Sequence, residues 1–333
     1  MNRLSLRFVQ RAGARCNHRP MPYPLYTNSS SCLVNRWNIA AAYSSSSRQS
    51  SEGKSVIVTG SSRGIGKAIA LRLAADGYSV CVNDLSANKA QCDEVVEQIR
   101  STGRKACTAV ADVTKRDEVK DMIQTSVREL GPLNTMIANA GVVQVDNLLE
   151  VSEKDFQFMF DVNVFGVQNC LAEAAKQMIS QGNCRPDSPG KLLAASSIVG
   201  FKSFPLMASY SSSKASVLRV SFASPSRFCF RSWAVRGLTQ AYAGLLAKHH
   251  ITANSYAPGI VGTAMWDLLD EGISEVVGWE KGTVTGRFAE QLTALGRISV
   301  PEDVAKMVSF LASSDSDFVT GQTQLVDGGT ILT

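Results

Sequence analysis

The sequence is poor in the residues from which metal centres and disulfide frameworks are built. Its 333 residues include three histidines, and its eight cysteines form no CxxC pair and no zinc-like spacing with histidine. We therefore predict no metal site, and we expect the cysteines to be free thiols in a reducing compartment. No uninterrupted run of roughly 18 apolar residues occurs, so the sequence also predicts no membrane-spanning helix.

Acidic residues and lysine are absent from the first 51 residues, which contain seven arginines and many serines. This composition is typical of a mitochondrial transit peptide, and we expect residues 1–51 to be such a leader. A disordered basic tail on a cytoplasmic protein is the alternative. The rest of the chain carries 27 of the 34 basic residues against all 29 acidic ones, so the formal charge of +5 belongs to the leader. Without a basic surplus on the folded part, nucleic-acid binding is not expected.

Short apolar runs alternate with segments of helical period from Lys54 onward. Seven such runs predict strands, at residues 55–59, 79–83, 106–110, 133–138, 191–195, 251–256 and 323–326. Strands buried on both faces carry continuous apolar runs, which is the pattern of a parallel sheet. We predict an α/β fold in which a doubly wound parallel sheet of about seven strands has helices on both faces. Residues 52–333 are expected to form a single domain.

A glycine-rich loop follows the first predicted strand and opens the first predicted helix. Residues 59–66 read TGSSRGIG. Glycines permit a tight turn and let a diphosphate approach the helix N-terminus, where free N–H groups and the helix dipole favour negative charge. This context predicts a dinucleotide site rather than an ordinary turn. The loop residues predicted to bind the cofactor are Gly60, Ser62, Arg63, Gly64, Ile65 and Gly66.

Asp84 ends the second predicted strand, 18 residues beyond Gly66. A carboxylate at this position accepts hydrogen bonds from the adenosine ribose and repels a 2′-phosphate, which favours NAD. Arg63 favours NADP instead, because a guanidinium beside the loop can pair with that phosphate. We predict NAD as the cofactor, since Asp84 beside a phosphate would leave two like charges together.

Two further strand ends are predicted to line the cofactor cleft. Asp112 and Val113 follow the third strand and would reach the adenine, while Asn139, Ala140 and Gly141 follow the fourth and would form the floor. Structural roles are the alternatives for two of these residues. Asp112 could cap a helix, and Asn139 could satisfy neighbouring backbone groups.

Tyr210 and Lys214 stand four residues apart, so they share one face if the segment is helical. A nearby ammonium and the positive nicotinamide of an oxidised cofactor both favour phenolate, and would lower the tyrosine pKa toward the range of a general acid/base. Ser197 ends the fifth predicted strand, where its hydroxyl could hold a carbonyl or an alcohol beside the tyrosine. Asn163 is expected within a helix, where its poor propensity suggests a specific hydrogen-bonding task; a buried amide is the alternative.

Taken together, these motifs resemble the short-chain dehydrogenase/reductase family. TGSSRGIG, NAG, the strand serine, YSSSK and the segment ending in VDGG occur in the family's order over about residues 54–330. The resemblance implies a Rossmann-type domain that transfers hydride to or from a carbonyl. It implies that Tyr210 is the acid/base, that Lys214 lowers its pKa and binds the nicotinamide ribose, and that Ser197 polarises the carbonyl. Asn163 would hold a relay water.

The resemblance also assigns a nicotinamide-binding segment and an assembly state. The segment that would hold the carboxamide includes Pro258, Gly259, Val261 and Thr263. Members of the family form dimers or tetramers, so a homodimer or a homotetramer is expected here.

Within the family, the sequence most resembles the diacetyl/acetoin reductases, also called 2,3-butanediol dehydrogenases. Ile198, Phe204, Met265 and Trp266 predict an apolar pocket for a small carbonyl or alcohol substrate. One alternative is a mitochondrial 3-oxoacyl carrier-protein reductase that uses NADPH. The other is a nucleotide-binding protein that an insertion has inactivated.

That insertion separates YSSSK from AVRGLTQ and consists of residues 216–233, with Pro225 among them. Joining Ala215 to Ala234 restores a continuous amphipathic helix pattern. A proline inside that helix would cost about 3 kcal/mol. We hypothesise that these 18 residues are a short intron retained in frame. A genuine surface loop is the alternative.

Overall fold

A parallel sheet of seven strands forms the centre of the protein in the computed structural model, which describes residues 51–146, 149–215 and 234–333. The strands are β1 (Ser55–Val58), β2 (Ser79–Val82), β3 (Ala106–Thr108), β4 (Leu133–Ala138), β5 (Gly190–Ala195), β6 (Ile251–Pro258) and β7 (Thr323–Val326). Their order is β3-β2-β1-β4-β5-β6-β7, and every adjacent pair is parallel. The predicted fold class is confirmed.

The strand ends differ from the predictions by a few residues. β3 ends at Thr108, two residues early, because it is an edge strand that pairs with β2 alone and the following Val110 is exposed. β6 continues to Pro258, because its last residues pair with β7. Proline is tolerated there because the strand ends at this residue.

Helices connect the strands and surround the sheet. They are α1 (Gly64–Ala75), α2 (Lys89–Arg100), α3 (Arg116–Leu130), α4 (Glu153–Phe160), α5 (Val167–Gln181), α6 (Ala208–Ala215), α7 (Ala234–Leu246), α8 (Ala264–Val277), α9 (Val284–Leu292) and α10 (Pro301–Ala312). A π-helical turn at Asp161–Gly166 joins α4 to α5.

Alternate strand residues supply two hydrophobic cores, one on each face of the sheet. Ile57 and Met136 belong to the core that packs against α3, α5 and α7. Val56 and Ile137, their chain neighbours, belong to the core that packs against α1, α2 and α10. Because both faces are covered, the strands need continuous apolar runs, as the sequence has.

A third, smaller hydrophobic cluster lies away from the sheet. Its buried members are Val199, Met207, Leu269, Ile273 and Val284. They come from the segment after β5 and from α8 and α9, so these two helices pack over that segment rather than on the sheet. We call α8 and α9 together the lid.

Several predictions fall on residues outside the described ranges. Residues 1–50 of the predicted leader and the insertion 216–233 both lie there.

None of the described helices is long and apolar enough to cross a membrane. The described residues also contain no group of three metal-ligating side chains.

Candidate active site

A cleft of about 1050 Å³ opens at the carboxyl ends of the strands. It lies where the strand order reverses, since β1 has β2 on one side and β4 on the other. Such a switch point is where open α/β sheets bind ligands. The predicted residues that line the cleft are Gly60, Arg63, Gly64, Ile65, Gly66, Asp84, Asp112, Val113, Asn139, Ala140, Gly141, Ser197, Ile198, Phe204, Tyr210, Lys214, Pro258, Gly259, Val261, Thr263, Met265 and Trp266. The two predicted site residues that do not line it are Ser62 and Asn163, and each supports a residue that does.

The glycine loop has no room for side chains at two of its positions. Gly60 has φ +63°, and a Cβ there would lie 2.9 Å from the Ala140 Cα. A Cβ on Gly66 would overlap the carbonyl oxygen of Gly60. The loop therefore brings backbone to the edge of the cleft, at the N-terminus of α1, where no side chain caps the first N–H groups. This is the donor arrangement that a diphosphate requires.

Asn139 fastens this loop to the rest of the sheet. Its Nδ2 donates to the carbonyl oxygens of Thr59 at 3.0 Å and Gly60 at 3.3 Å. Its Oδ1 accepts a hydrogen bond of 3.0 Å from the Tyr256 hydroxyl. Asn139 thus both lines the cleft and satisfies neighbouring backbone, which was the structural alternative. Tyr256 is fully buried and was not predicted as a site residue, because the sequence around it indicates only a strand.

The Asp84 carboxylate is held by several donors at the end of β2. The Ser62 hydroxyl donates to it at 2.6 Å, the Asn88 amide at 2.8 Å and the Leu85 backbone N–H at 2.8 Å. Burial alone would raise the pKa of Asp84, but these hydrogen bonds outweigh burial and hold the pKa below its ordinary value. Asp84 is therefore an anion at neutral pH, half-buried and facing the cleft. Ser62 is behind the loop and orients this carboxylate.

Two other residues predicted to lie near the adenosine are Arg63, a cation, and Asp112, which belongs to a turn. Arg63 is exposed at the mouth of the cleft, and no ion pair to it is found among the described residues. Asp112 accepts hydrogen bonds from the Thr114 backbone N–H at 2.9 Å and its hydroxyl at 2.8 Å. Asp112 therefore stabilises the turn before α3 while it lines the cleft beside Val113.

Asn163 lies in the π-helical turn and is fully buried. Its Oδ1 accepts from the Val142 backbone N–H at 3.0 Å, and its Nδ2 donates to the Val142 carbonyl at 2.9 Å and to the Ser213 Oγ at 3.1 Å. The residue thus ties the segment after β4 to α6. The sequence predicts a helix here but not the π-helical turn, which often marks functional positions.

Tyr210 and Ser197 meet in the lining of the cleft. Tyr210 lies on α6, and its hydroxyl is hydrogen-bonded to Ser197, which follows β5. Burial raises the pKa of Tyr210, and the Ser197 hydrogen bond lowers it only in part. The sequence-based expectation of a lowered pKa therefore does not hold for the described groups. The reason is that the cost of burying a phenolate outweighs the stabilisation that its neighbours provide.

Lys214 is one turn further along α6, with 2% of its surface exposed. Its Nζ donates to the Ala195 carbonyl oxygen at 3.0 Å and lies 5.7 Å from the centroid of the Tyr210 ring. Burial lowers the pKa of Lys214 to about 8. The ammonium is held where the strand carbonyl and the cleft meet, so it can donate its remaining protons to a bound ligand.

Asp146, which sequence reasoning missed, caps the helix that carries Tyr210 and Lys214. Its carboxylate accepts from the backbone N–H groups of Ala208 at 2.8 Å and Ser209 at 3.1 Å, and from the Ser209 hydroxyl. The Asp146 N–H in turn donates to the Leu206 carbonyl at 2.9 Å. A buried anion at a helix N-terminus satisfies its free donors and its dipole. The signal was not visible in sequence because capping residues usually precede their helix directly.

The lid and the segment after β5 enclose the other end of the cleft with apolar side chains. Met265 and Trp266 lie in the first turn of α8, and Ile198 and Phe204 follow Ser197. Phe288 of α9 also lines the cleft, although the sequence does not single it out. The arrangement accepts an apolar group beside the Tyr210 and Ser197 hydroxyls.

The segment predicted to hold the nicotinamide carboxamide runs from the end of β6 into the lid. The Gly259 N–H donates to the Val326 carbonyl at 3.0 Å, which fixes Pro258 and Gly259 against β7. The Thr263 hydroxyl donates to the Val261 carbonyl at 3.3 Å. Thr330 and Ile331 also line the cleft, and sequence reasoning missed them.

These residues together fit a dinucleotide. The glycine loop excludes Cβ atoms, α1 offers uncapped N–H groups, Asp84 offers acceptors for a ribose, and Lys214 offers donors deeper in the cleft. A phenol, a serine hydroxyl and an ammonium converge at the far end. This set of groups can exchange a proton with an alcohol or carbonyl oxygen.

Comparison with protein families and known proteins gives consistent relatives. A family model described as "short chain dehydrogenase" matches residues 54–224, and one described as "Enoyl-(Acyl carrier protein) reductase" matches residues 229–330. The first match ends, and the second begins, within the segment 216–233.

Curated relatives include an L-2,3-butanediol dehydrogenase of Corynebacterium glutamicum, 39% identical over 83% of this chain and 98% of the relative. A diacetyl reductase [(S)-acetoin forming] of Staphylococcus epidermidis is 38% identical over 84% of this chain and 98% of the relative. A 3-oxoacyl-[acyl-carrier-protein] reductase of Staphylococcus aureus is 35% identical over 83% of this chain and 97% of the relative. A solved short-chain type dehydrogenase/reductase from Mycobacterium marinum superposes with a TM-score of 0.69 at 30% identity, over 85% of this chain and 97% of that structure.

Proposed function

Because the chain belongs to the short-chain dehydrogenase/reductase family, we propose that it uses NAD(H) to interconvert diacetyl, acetoin and 2,3-butanediol. The chain is an oxidoreductase that acts on CH–OH and C=O groups. The choice of cofactor and the choice of substrate are the two parts of the proposal.

The cofactor proposal rests on the Asp84 carboxylate. It faces the cleft at the end of β2 and stays ionised because its hydrogen bonds lower its pKa. A ribose diol would take the place of some of the donors from which this carboxylate now accepts. A 2′-phosphate would place a dianion beside it. Arg63 could offset part of that repulsion, but Arg63 is exposed and solvent screens its charge. NAD(H) is therefore favoured over NADP(H).

The substrate proposal rests on the apolar end of the cleft and on the relatives. Ile198, Phe204, Trp266 and Phe288 surround the space beside Tyr210 with hydrocarbon and aromatic surface. A four-carbon vicinal dicarbonyl has methyl groups for this surface and oxygens for the two hydroxyls. The names of two relatives specify 2,3-butanediol and diacetyl, which are the diol and the dicarbonyl of this four-carbon series.

In the proposed mechanism, bound NADH supplies the hydride that the carbonyl carbon accepts. The Ser197 hydroxyl and the Tyr210 hydroxyl would donate hydrogen bonds to the carbonyl oxygen. Tyr210 then gives its proton to the oxygen as the alcohol forms. Its raised pKa keeps it in the acid form that reduction needs.

Lys214 and Asn163 support this proton transfer. The Lys214 ammonium donates to the Ala195 carbonyl, and its remaining donors would be available to the ribose of a bound cofactor. A positive charge near Tyr210 stabilises the phenolate left after proton transfer. Asn163 keeps α6 in register with the segment after β4, and the water relay assigned to it by family resemblance is part of the proposal.

The second candidate is a 3-oxoacyl carrier-protein reductase, which the Staphylococcus aureus relative favours. We expect such a reductase to use NADPH, and Asp84 opposes that cofactor. A third candidate, a nucleotide-binding protein without turnover, depends on the effect of residues 216–233 on α6. Import into mitochondria and assembly into a dimer or tetramer remain proposals that rest on the leader composition and on family resemblance.

The proposal is tested by incubating the purified full chain, and the same chain without residues 216–233, with NADH or NADPH and either diacetyl or a 3-oxoacyl thioester. Oxidation of NADH is followed by absorbance, and chiral gas chromatography identifies acetoin and butanediol. We expect acetoin from diacetyl, with the shortened chain at least as active as the full one. Turnover of the thioester alone would replace the proposal with the second candidate. Nucleotide binding without turnover in the full chain, with turnover in the shortened chain, would support the third.

A further inference from the structure

Two phenylalanines from distant parts of the chain contact each other in the lining of the cleft. Phe204 follows β5, and Phe288 belongs to α9 of the lid; both line the cleft. Their ring centroids are 5.6 Å apart and their planes make an angle of 74°. This is an edge-to-face contact, a favourable geometry for an aromatic pair.

The lid fixes the position of Phe288 through contacts of its own. The Asp270 carboxylate on α8 accepts hydrogen bonds from the Gly282 N–H at 2.6 Å and the Thr285 N–H at 2.8 Å. These bonds tie the start of α9 to α8. Trp279 backs the Phe288 ring on another side, with centroids 6.3 Å apart. Phe288 is therefore positioned by two helices that are hydrogen-bonded to each other and by the Trp279 ring.

Phe204 is held on the catalytic side. Its backbone N–H donates to the Ser211 Oγ of α6 at 3.2 Å, one residue beyond Tyr210. The two rings thus connect the lid to the helix that carries the catalytic tyrosine. The same cluster contains Tyr210 and Trp266 among its partly buried members.

We propose that the Phe204–Phe288 pair is the end wall that limits the size of the substrate. The inference rests on the proposed function in that it places the carbonyl beside Tyr210 and Ser197. The wall then admits a methyl group next to that carbonyl and excludes a ring. Removing either side chain breaks the same contact and opens the same space, so the two residues act as one unit.

The matched probes are diacetyl and 1-phenylpropane-1,2-dione, in which a phenyl group replaces one methyl. The measured quantity is the ratio of kcat/KM for the phenyl compound to that for diacetyl. We expect this ratio to rise about 10- to 100-fold in Phe288→Ala and in Phe204→Ala, a range typical of pocket size discrimination. The double variant should gain less than the product of the single gains, because contacting residues are not additive.

Phe310→Ala is the matched control, since Phe310 lies on α10, is 40% exposed and does not line the cleft. It should leave the ratio unchanged. Phe288→Leu covers the case in which the alanine variant does not fold, and it should give a smaller rise. An unchanged ratio in folded Phe288→Leu and Phe204→Ala, or gains that multiply fully in the double variant, would overturn the inference.

A second pair of probes separates this inference from the proposed function. Ethyl acetoacetate and ethyl benzoylacetate differ by the same methyl-to-phenyl replacement on a 3-oxo ester. Turnover of the oxo esters alone would reject the diketone substrate, while a raised ratio within that pair would keep the end wall. If neither pair reacts, calorimetry measures the affinity of the NADH-loaded protein for the same compounds. The ratio of the affinity for the phenyl compound to that for the methyl compound should then rise in the variants, and an unchanged ratio would overturn the inference.

Discussion

The Ser62 hydroxyl donates a hydrogen bond of 2.6 Å to the Asp84 carboxylate, which joins the glycine loop after β1 to the end of β2. The Ser62 backbone N–H reaches the same oxygen at 3.4 Å. These bonds fix the loop that would receive the diphosphate relative to the acid that would receive the ribose. Preorganisation of this kind reduces the entropy cost of binding.

The first prediction concerns the choice of cofactor. Asp84→Ala removes both the acceptors for the ribose and the charge that opposes a 2′-phosphate. We expect kcat/KM for NADH to fall and kcat/KM for NADPH to rise, with a combined change in their ratio of roughly 10- to 100-fold, since hydrogen bonds to charged groups contribute about 1.5–3 kcal/mol. Asp93→Ala, which removes an exposed acid on α2, is the control and should not alter the ratio. A preference for NADH that survives in Asp84→Ala would show that another residue sets it.

The second prediction concerns the acid/base. Tyr210→Phe removes the hydroxyl that is hydrogen-bonded to Ser197, and it keeps the aromatic ring that packs against the third hydrophobic cluster. The rate of diacetyl reduction should fall about 10²- to 10⁴-fold, the usual range for a lost general acid. NADH affinity, measured by fluorescence titration, should stay within a few-fold of the parent. Tyr242→Phe loses a hydroxyl that bonds Gln168 on α5, and its activity should be unaffected. Equal losses in both variants would count against a proton-transfer role for Tyr210.

The third prediction concerns the stability cost of Lys214. Its pKa is about 8 in the folded protein against the ordinary value of 10.5. Between these two pH values the unfolded chain binds more protons than the folded one, so this group makes the free energy of unfolding rise with pH across that interval. At pH 7 the buried ammonium opposes folding. Lys214→Met should therefore be more stable by about 1–3 kcal/mol at neutral pH and nearly inactive.

Chemical denaturation at neutral pH and at pH near 10 tests this prediction. The stability gain of Lys214→Met should be largest at neutral pH and should shrink at the higher pH. Lys306→Met, on the exposed side of α10, is the matched control and should show no such trend. A Lys214→Met protein that is less stable at both pH values would contradict the stated cost of burial.

The fourth prediction concerns the cap of the catalytic helix. Asp146→Ala leaves the N–H groups of Ala208 and Ser209 without their acceptor, which should cost about 1–3 kcal/mol in unfolding free energy. Because the helix carries Tyr210, kcat should fall more than NADH affinity. Asp146→Asn keeps one acceptor oxygen and should recover part of both losses. Asp155→Ala, at the exposed start of α4, is the control for removing an acid from a helix N-terminus.

The sheet and most of the cleft could be predicted from the sequence because their signals are local. Buried parallel strands require apolar runs, and a glycine loop between a strand and a helix has few other uses. Tyr210 and Lys214 were visible for the same reason, since helical spacing alone puts them on one face. The order and spacing of these strands and motifs along the chain were therefore enough to predict them, and no contact between distant segments had to be known.

The features that sequence reasoning missed all depend on contacts between distant segments. Phe288 is an ordinary apolar residue of an amphipathic helix until the lid brings it to Phe204. Asp146 caps a helix that begins about sixty residues later in the chain, so no capping pattern precedes that helix. The pKa of Tyr210 differs from the expectation because its burial depends on the packing of the lid, which spacing along one helix does not reveal.

The most direct test of the account compares NADH with NADPH for diacetyl reduction, in the full chain and in the chain without residues 216–233. The account predicts acetoin formation with kcat/KM for NADH well above that for NADPH in the shortened chain. Equal activity of both chains would identify residues 216–233 as a tolerated loop and leave the assignment of cofactor and substrate unchanged. Diacetyl reduction that depends on NADPH, or none by either folded chain with either cofactor, would contradict the account.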